Sequence, residues 1–235
     1  MEVAIPPAEG HFVQDHKQHR HDTILNNLSN KYRYAGRHGY TFLPIMWTYT
    51  DTDLPHAWVK IPALLEHLPH YDWIWCTDSD LFITNAQVTI EQQVLLHVPA
   101  DKHIVVSRDC SGMNTGSFFI RNSPDAVWFL RDVYARRRES SVPDYAWWFE
   151  QAMFNHLIKN DARSAALFYY VPQTLINSYT PKPNAPAQEQ LQPTCGGRWW
   201  QVGDFAVHFP GRADKTEAWD AVLVRGGKAL AALLP

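Results

Sequence analysis

The sequence has 235 residues, is 46% hydrophobic and carries a net charge of -3 at pH 7. This composition excludes a largely disordered chain and predicts one compact catalytic or binding domain spanning residues 1–235. The charge indicates neither a nucleic-acid-binding surface nor a polybasic membrane patch. No apolar run reaches the roughly 18 residues of a membrane-spanning helix, and the first residues lack a signal-peptide core. We therefore expect a soluble chain without a nucleic-acid partner.

The predicted elements alternate between helices and apolar strands. A short strand is predicted at 3–8, then a helix over the periodic residues Ile24 to Ala35 that ends before Gly39. A strand at 40–47 precedes a helix that begins near Asp53 and continues to Leu68, and Trp73 opens the next strand. The later pattern predicts a helix near 89–97, a strand at 103–107, a loop at 108–116, a strand at 117–121, a helix from Pro124 capped by Ser123, a helix near 144–158, a strand at 167–171, a Pro-rich loop at 180–194 and a strand at 204–209. This alternation predicts an α/β fold with a mixed, mainly parallel central sheet flanked by helices.

Two aspartates, Asp78 and Asp80, end the apolar strand in the segment WIWCTDSDLFIT. Burying an unpaired carboxylate is costly, so either a cation lies between them or the chain leaves the core there. Side chains at i and i+2 of an extended chain point the same way and can hold one divalent cation, and ligands collect at the carboxyl ends of strands in open α/β sheets. The alternative is a turn with both aspartates in Asx geometry. A second D-x-D, Asp51 to Asp53, is typical of helix capping and solvent exposure.

The segment DFAVHFPGR offers a third ligand, His208. Strand alternation places His208 on the face opposite Phe205, Val207 and Phe209. The alternative is a histidine packed by hydrogen bonds alone. Gly211 and Lys215 follow, a spacing that suits close backbone approach to phosphates with a cation beside them. Carboxylates combined with an imidazole favour Mn²⁺, with Mg²⁺ as the alternative.

A polar residue interrupts an apolar helical stripe further along the chain. Trp147, Gln151, Phe154 and Ile158 recur at helical spacing. Because a buried amide needs partners, Gln151 is a candidate site residue, and the alternative is a core glutamine bonded to the backbone.

Seven ordered segments between about Asn30 and Gly211 resemble glycosyltransferase family 34, the group of fungal α-galactosyltransferases and plant xyloglucan xylosyltransferases. The segments are NKYRYAGRHGY, WVKIPALLEHL, YDWIWCTDSDLFITN, SRDCSGMNTGSFFIRNS, WWFEQAMF, VPQTLINSY and GDFAVHFPG.

The resemblance implies a GT-A fold and transfer of a hexose or pentose from a UDP-linked nucleotide sugar to a carbohydrate or glycoconjugate acceptor, with retention of anomeric configuration and with Mn²⁺. It implies three metal ligands, Asp78, Asp80 and His208. It also implies the catalytic pair Glu150 and Gln151, of which Glu150 would steady positive charge at the anomeric carbon. The expected substrate-binding residues are Lys60, Asp109, Asn114, Gly116, Gly211 and Lys215.

The sequence departs from the family pattern at three positions. Glu150 stands where family members usually carry Asp, and Pro210 and Arg212 replace the usual continuation of the last motif. Family members are usually Golgi proteins with an N-terminal anchor, so a Golgi location would require an anchor that has been removed. Three alternatives remain: a retaining enzyme similar to family 8, a catalytically silent nucleotide-sugar binder, and a metal-dependent phosphohydrolase. The sugar, the acceptor and the linkage are left open.

Overall fold

The computed structural model describes residues 14–45, 53–109, 112–182 and 197–227, with side chains from Ile24 onward. The helices are Gln14–His38 (α1), Lys60–His67 (α2), Ile90–Gln93 (α3), Pro124–Ala135 (α4), Tyr145–Asn160 (α5), Ala162–Ala166 (α6), Gln173–Ile176 (α7) and Lys215–Gly226 (α8). The strands are Trp73–Thr77 (β1), Leu81–Ile83 (β2), Ile104–Asp109 (β3), Gly112–Arg121 (β4), Phe168–Val171 (β5), Ser178–Tyr179 (β6) and Ala206–His208 (β7). No helix in the described ranges is both long and apolar enough to cross a membrane.

The strands form two sheets that share the connection between β1 and β2. The first sheet has the order β1-β4-β3-β5 and the second has the order β2-β7-β6. The mixed α/β architecture is therefore confirmed. The predicted parallel majority is wrong, because β1 and β3 both pair with β4 in antiparallel fashion, and only β3 with β5 and β6 with β7 are parallel.

A hairpin explains this difference. Residues 108–116 were predicted as a loop, but β3 runs to Asp109, β4 begins at Gly112, and these two residues pair across the hairpin. Strands joined by so short a connection can only be antiparallel. Strand β5 can pair in parallel with β3 because β4 first returns the chain to the end of the sheet where β3 begins. No helix lies between β3 and β4 in the sequence. The lack of a predicted helix there was the signal that indicated an antiparallel pair.

Each face of the first sheet is buried under helices. Phe118 and Ile120 of β4 pack in the core formed with α2, α4 and α5, whereas Phe119 points to the opposite face and packs with Val105 and Ile176. This alternation is the ordinary period of a strand. The packing of the first sheet therefore fixes the position of the end of β1, from which the chain continues to β2.

The second sheet packs against α1 and α8. Phe82 of β2 stacks on Trp219 of α8 with ring centroids 4.0 Å apart, and Tyr34 of α1 lies in the same core. Helix α8 was not predicted from the sequence. Its buried residues, Ala218, Trp219 and Val222, give only a short apolar stripe.

The remaining predictions have mixed outcomes. Helix α1 ends at His38 before Gly39, whose φ of 73° is the conformation expected of a terminating glycine, and Ser123 caps α4 through a hydrogen bond from the Ala126 amide. The helix predicted near 89–97 is split into α3 and a 3-10 turn. The predicted strand at 40–47 is irregular over 40–45. Its last two residues, the strand at 3–8 and residues 183–194 of the Pro-rich loop lie outside the described residues.

Candidate metal and sugar-nucleotide site

The three predicted metal ligands come together where the two sheets meet. Asp78 and Asp80 lie in the connection from β1 to β2, directly after the strand that the first sheet holds. Strand β7 pairs with β2 so that His208 faces Leu81, and the Phe209 amide donates to the Asp80 carbonyl at 3.1 Å. This pairing brings His208 beside Asp80, although 128 residues separate them in sequence.

One ligand atom from each of these three residues lies within 4.8 Å of the other two. Nε2 of His208 is 3.0 Å from Oδ1 of Asp80 and 3.9 Å from Oδ2 of Asp78. Two lysines occupy the other carboxylate oxygens: Lys60 Nζ is 2.6 Å from Asp78 Oδ1 and Lys215 Nζ is 2.6 Å from Asp80 Oδ2. Two carboxylate oxygens and one imidazole nitrogen are thus left facing one another.

This donor set fits a divalent cation. Carboxylate oxygens with an imidazole nitrogen suit Mn²⁺ better than Mg²⁺, which prefers oxygen alone. The lysines neutralise the outer oxygens without covering the inner ones. Asp78, Asp80 and His208 are therefore the residues that could hold such an ion.

The positive groups around Asp80 shift the pKa of its carboxyl group. Burial alone would raise the pKa of Asp80, but the hydrogen bond and charge of His208 and the charge of Lys215 outweigh it and hold that pKa well below its usual range. The lowered pKa favours the ionised form of Asp80, which is the form that can bind a cation.

Lys31 is a third lysine at this site, and sequence reasoning missed it. Its Nζ donates to the Asp78 carbonyl at 2.6 Å from the buried face of α1. Burial lowers the pKa of Lys31 to about 8, opposed by the charges of Asp78 and Asp80. Asn27 and Asn30, on the same face, bond to the backbone of β2. Three polar residues at helical spacing among the buried positions of α1 were the available signal.

Lys60 joins the predicted metal site to the predicted catalytic pair. Its Nζ is 2.6 Å from Asp78 Oδ1 and 2.8 Å from Glu150 Oε1. Burial would lower the pKa of Lys60, but the two carboxylates outweigh burial and raise it. Burial raises the pKa of Glu150, because one ammonium serves both carboxylates and Glu150 is only 2% exposed.

Thr115 connects Glu150 to Gln151. Its hydroxyl donates to Glu150 Oε1 at 2.9 Å, and its amide donates to Gln151 Oε1 at 3.0 Å. Glu150 Oε2 and Gln151 Nε2 are buried without a hydrogen-bond partner among the described residues. Lys60 connects Glu150 to Asp78, and groups that bond to a ligand are expected to lack internal partners.

Replacing Lys60 with Met should destabilise the protein by about 3–5 kcal/mol, because Glu150 and Asp78 would lose their shared counter-charge. Urea unfolding of the variant measures this loss. The double variant Lys60→Met/Glu150→Gln should recover part of it, since only one of the two carboxylates then lacks its partner.

Lys159, an exposed residue in the last turn of α5, provides the matched control. Lys159→Met should change the free energy of unfolding by no more than about 0.5 kcal/mol. Equal effects of the two substitutions would show that the Lys60 ion pairs contribute nothing.

The predicted apolar stripe on α5 is wrong at its first residue. Trp147 is 80% exposed, and Phe149 interrupts the helix with φ 48° and ψ -117°. Trp147, before this break, therefore does not continue the apolar stripe, whereas Gln151 and Phe154 are buried as predicted. No periodicity rule detects a residue that leaves helical geometry inside a helix.

Four predicted substrate-binding residues lie on strands β3 and β4 or in the turn after β7. The Asn114 amide group donates to Asp109 Oδ2 at 3.0 Å, and the Gly116 carbonyl accepts from the Asp78 amide at 2.9 Å. Gly211 lies in the turn between β7 and α8 with φ 63°. A Cβ added at Gly211 meets nothing within 4 Å, so no packing requirement explains this glycine.

The second D-x-D lies on the surface. Asp53 pairs with Arg138, with Oδ1 and Nη2 3.0 Å apart and both side chains exposed. The predicted capping role is wrong for Asp53, since the 3-10 turn before α2 begins after Pro55 and has no side-chain cap. Asp51 lies outside the described residues.

The fold of this chain is similar to that of a glycosyltransferase of known structure. A crystal structure of a glycosyltransferase involved in the glycosylation of the major capsid of PBCV-1 superposes with a TM-score of 0.58, covering 90% of this chain and 96% of that one at 17% sequence identity. This similarity confirms the predicted GT-A type fold.

The chain belongs to the galactosyl transferase GMA12/MNN10 family, whose model matches residues 9–98 and 96–218. The predicted family 34 is thereby confirmed, and the match favours it over the family 8 alternative. The probable alpha-1,2-galactosyltransferase gmh2 of Schizosaccharomyces pombe is 26% identical over 228 residues, covering 81% of this chain. The probable glycosyltransferase 6 of Oryza sativa subsp. indica is 32% identical over 145 residues, covering 53% of this chain and 27% of the rice protein.

The chain spans about six tenths of the length of its fungal relatives, with 61% and 59% covered for two of them. The residues that the family model matches include all the residues of the site described above.

Proposed function

We propose that this protein is a retaining, metal-dependent glycosyltransferase that moves a galactose-type or xylose-type sugar from a UDP-linked donor to a glycan acceptor. The observation that carries the proposal is the convergence of Asp78, Asp80 and His208 within 4.8 Å of one another. We propose Mn²⁺ as the cation, with Mg²⁺ as the alternative. We also propose that residues 1–235 form one domain.

Asp78, Asp80 and His208 would hold the cation. When bound, a divalent cation neutralises charge on the donor's two phosphates as the nucleoside diphosphate leaves. Lys60 and Lys215 keep the outer carboxylate oxygens occupied, which leaves the inner oxygens directed at the ion.

The phosphates would also meet positive charge from α8. Lys215 is the first residue of that helix, so its ammonium and the positive end of the helix dipole lie together. Gly211, in the preceding turn, has room around its backbone for close approach of a phosphate. These features support a diphosphate between β7 and α8.

The transferred sugar would lie beside Asn114, Gly116, Glu150 and Gln151. Glu150 is ion-paired with Lys60, so we propose that it stabilises positive charge at the anomeric carbon rather than acting as a base. The acceptor's proton would then pass to a departing phosphate oxygen on the same face of the sugar, which is consistent with retention. The unpartnered amide of Gln151 supports its placement near the sugar ring.

The names of the relatives support galactose as the first donor sugar to test. Several Schizosaccharomyces pombe relatives are named as alpha-1,2-galactosyltransferases, some of them as probable. Galactose and xylose differ by one hydroxymethyl group, a difference worth only about 1–3 kcal/mol in a pocket. Both donors therefore belong in the experiment.

A screen of UDP-sugars for release of UDP, with and without Mn²⁺, tests the proposal. We expect release with UDP-galactose or UDP-xylose only when Mn²⁺ is present. Mn²⁺-dependent affinity for UDP without turnover of any donor would instead indicate the silent binder. Turnover that is indifferent to metal would contradict the metal assignment.

A further inference from the structure

A chain of buried hydrogen bonds lies behind His208, on the side of the ring away from the carboxylates. His208 Nδ1 is 2.7 Å from Oδ1 of Asn177. The Asn177 amide group lies 3.0 Å from Asn114 Oδ1 and 3.3 Å from the Ser107 hydroxyl. Asn177 and His208 are almost fully buried, at 0% and 1% exposure. Nothing in the sequence had marked Asn177.

Two contacts of Asn114, at one end of this chain of hydrogen bonds, determine the direction of every bond in it. At one end, the backbone amide of Gly116, which can only donate, lies 2.9 Å from Oδ1 of Asn114. At the same residue, the Asn114 amide group lies 3.0 Å from the carboxylate of Asp109, which when ionised can only accept. Asn114 is therefore fixed with its oxygen toward Gly116 and its nitrogen toward Asp109.

The orientation of Asn114 fixes that of Asn177 in turn. Because Asn114 Oδ1 is an acceptor, the Asn177 atom beside it must be the amide nitrogen. The Asn177 oxygen then faces His208, so Nδ1 of His208 must carry a proton, whether or not Nε2 also carries one in the metal-free protein. Because Nδ1 is bonded to Asn177, Nε2 is the ring nitrogen that faces Asp80 and Asp78.

The surroundings of the ring hold it in this orientation. Tyr179 packs edge-on against the His208 ring, with centroids 5.7 Å apart, and its hydroxyl donates to Asp109 Oδ2 at 2.7 Å. On another side, Gly116 provides space that a side chain would fill, since a Cβ there would lie 2.2 Å from Cε1 of His208. The ring is thus held in one plane and one rotamer.

We propose that Asn177 is a positioning residue that fixes the tautomer and the plane of His208, so that Nε2 is presented to a divalent cation held with Asp78 and Asp80. The inference rests on the proposed metal-dependent function. It gives Asn114 and Asp109, which were predicted to bind substrate, a second role as the supports that orient Asn177. Hydrogen-bond partners of this kind orient a metal-binding histidine and make it a stronger ligand.

Mn²⁺ affinity, measured on the full chain by electron paramagnetic resonance, tests the proposal. Asn177→Leu keeps the volume but removes the hydrogen bonds, and it should weaken Mn²⁺ binding by about 10–100-fold. In the His208→Gln background the same substitution should change the residual Mn²⁺ affinity by less than about twofold, because Asn177 acts only through that ring.

Asn155→Leu is the matched control for general structural damage. Asn155 also bonds to β4, through the amide and carbonyl of Met113, but the described contacts of its side chain do not include His208. Asn155→Leu should leave Mn²⁺ affinity within about twofold of wild type. Equal losses in Asn155→Leu and Asn177→Leu would overturn the positioning role.

The protonation of the ring can be read in the wild-type protein, and the variant His208→Gln serves only to assign the signal. In the metal-free protein labelled with ¹⁵N-histidine, His208 should show a protonated, slowly exchanging Nδ1, assigned by its absence in His208→Gln. An unprotonated Nδ1 would overturn the inference. If wild type bound no Mn²⁺, the proposed function would fail as well. If Asn177→Leu bound Mn²⁺ as tightly as wild type, only the positioning role would fail.

Discussion

Asp80→Asn should lower the rate of Mn²⁺-dependent UDP release from the donor by on the order of 10²–10³-fold, the range seen when a group that stabilises developing charge is removed. The substitution keeps the shape of the side chain but removes the charge that faces His208 Nε2 at 3.0 Å and Lys215 Nζ at 2.6 Å. Mn²⁺ binding should weaken in parallel. Steady-state UDP release over a range of Mn²⁺ concentrations measures both effects.

The chain supplies its own control in the second D-x-D. Asp53 is exposed and pairs with Arg138 on the surface, and an exposed ion pair contributes at most about 1 kcal/mol. Asp53→Asn should therefore leave the metal-dependent rate unchanged. Full activity in Asp80→Asn would refute the assignment of the cation to this site.

Gly116→Ala should have the second largest effect, although it adds only a methyl group. The new Cβ would lie 2.2 Å from His208 Cε1 and 2.8 Å from Asn114 Oδ1, so the imidazole must move. Overpacking of this kind costs about 1–3 kcal/mol, and a displaced ligand should weaken Mn²⁺ binding by about 10–100-fold. Urea unfolding and a Mn²⁺ titration measure the two effects separately.

Gly36 is the matched control, since it is exposed in α1 and a Cβ there meets nothing within 4 Å. Gly36→Ala should stabilise the helix by up to about 1 kcal/mol and leave Mn²⁺ affinity unchanged. Tight Mn²⁺ binding by Gly116→Ala would mean that His208 is not a ligand.

The metal cluster could be predicted because its three candidate ligands are polar residues within apolar segments of the sequence. Asp78 and Asp80 interrupt an apolar run, and His208 interrupts another. Charged or polar residues in strands that are otherwise buried need a reason to be there. The pairing of β2 with β7 then brings them together, as the resemblance implied.

The groups behind the cluster could not be predicted in the same way. Asn177 is a polar residue next to a two-residue strand, and its partners Ser107 and Asn114 lie 70 and 63 residues away. The contacts of Asn177 with Ser107 and Asn114 depend on how the two sheets are placed relative to each other, and no local sequence pattern predicts that placement. Lys31 had a local signal, but its partner is the carbonyl of Asp78, and a carbonyl carries no information in the sequence.

The fold shows a similar division. The alternation of helices and strands gave the α/β class, but the direction of the strands depended on one connection of two residues between β3 and β4. The break at Phe149 is likewise a single backbone conformation. Such features depend on tertiary contacts that override local propensity.

The connection from β1 to β2 would link the stability of the protein to the concentration of the cation around it. Three residues carry the chain from one sheet to the other, and two of them are the carboxylates that would bind the cation, while His208 belongs to the second sheet. An ion bound there would fasten the two sheets together, and a ligand present at one hundred times its dissociation constant adds about 2.7 kcal/mol to the resistance against unfolding. The supply of manganese and donor in the surrounding compartment would then decide how readily proteases degrade the chain, as well as how fast it works.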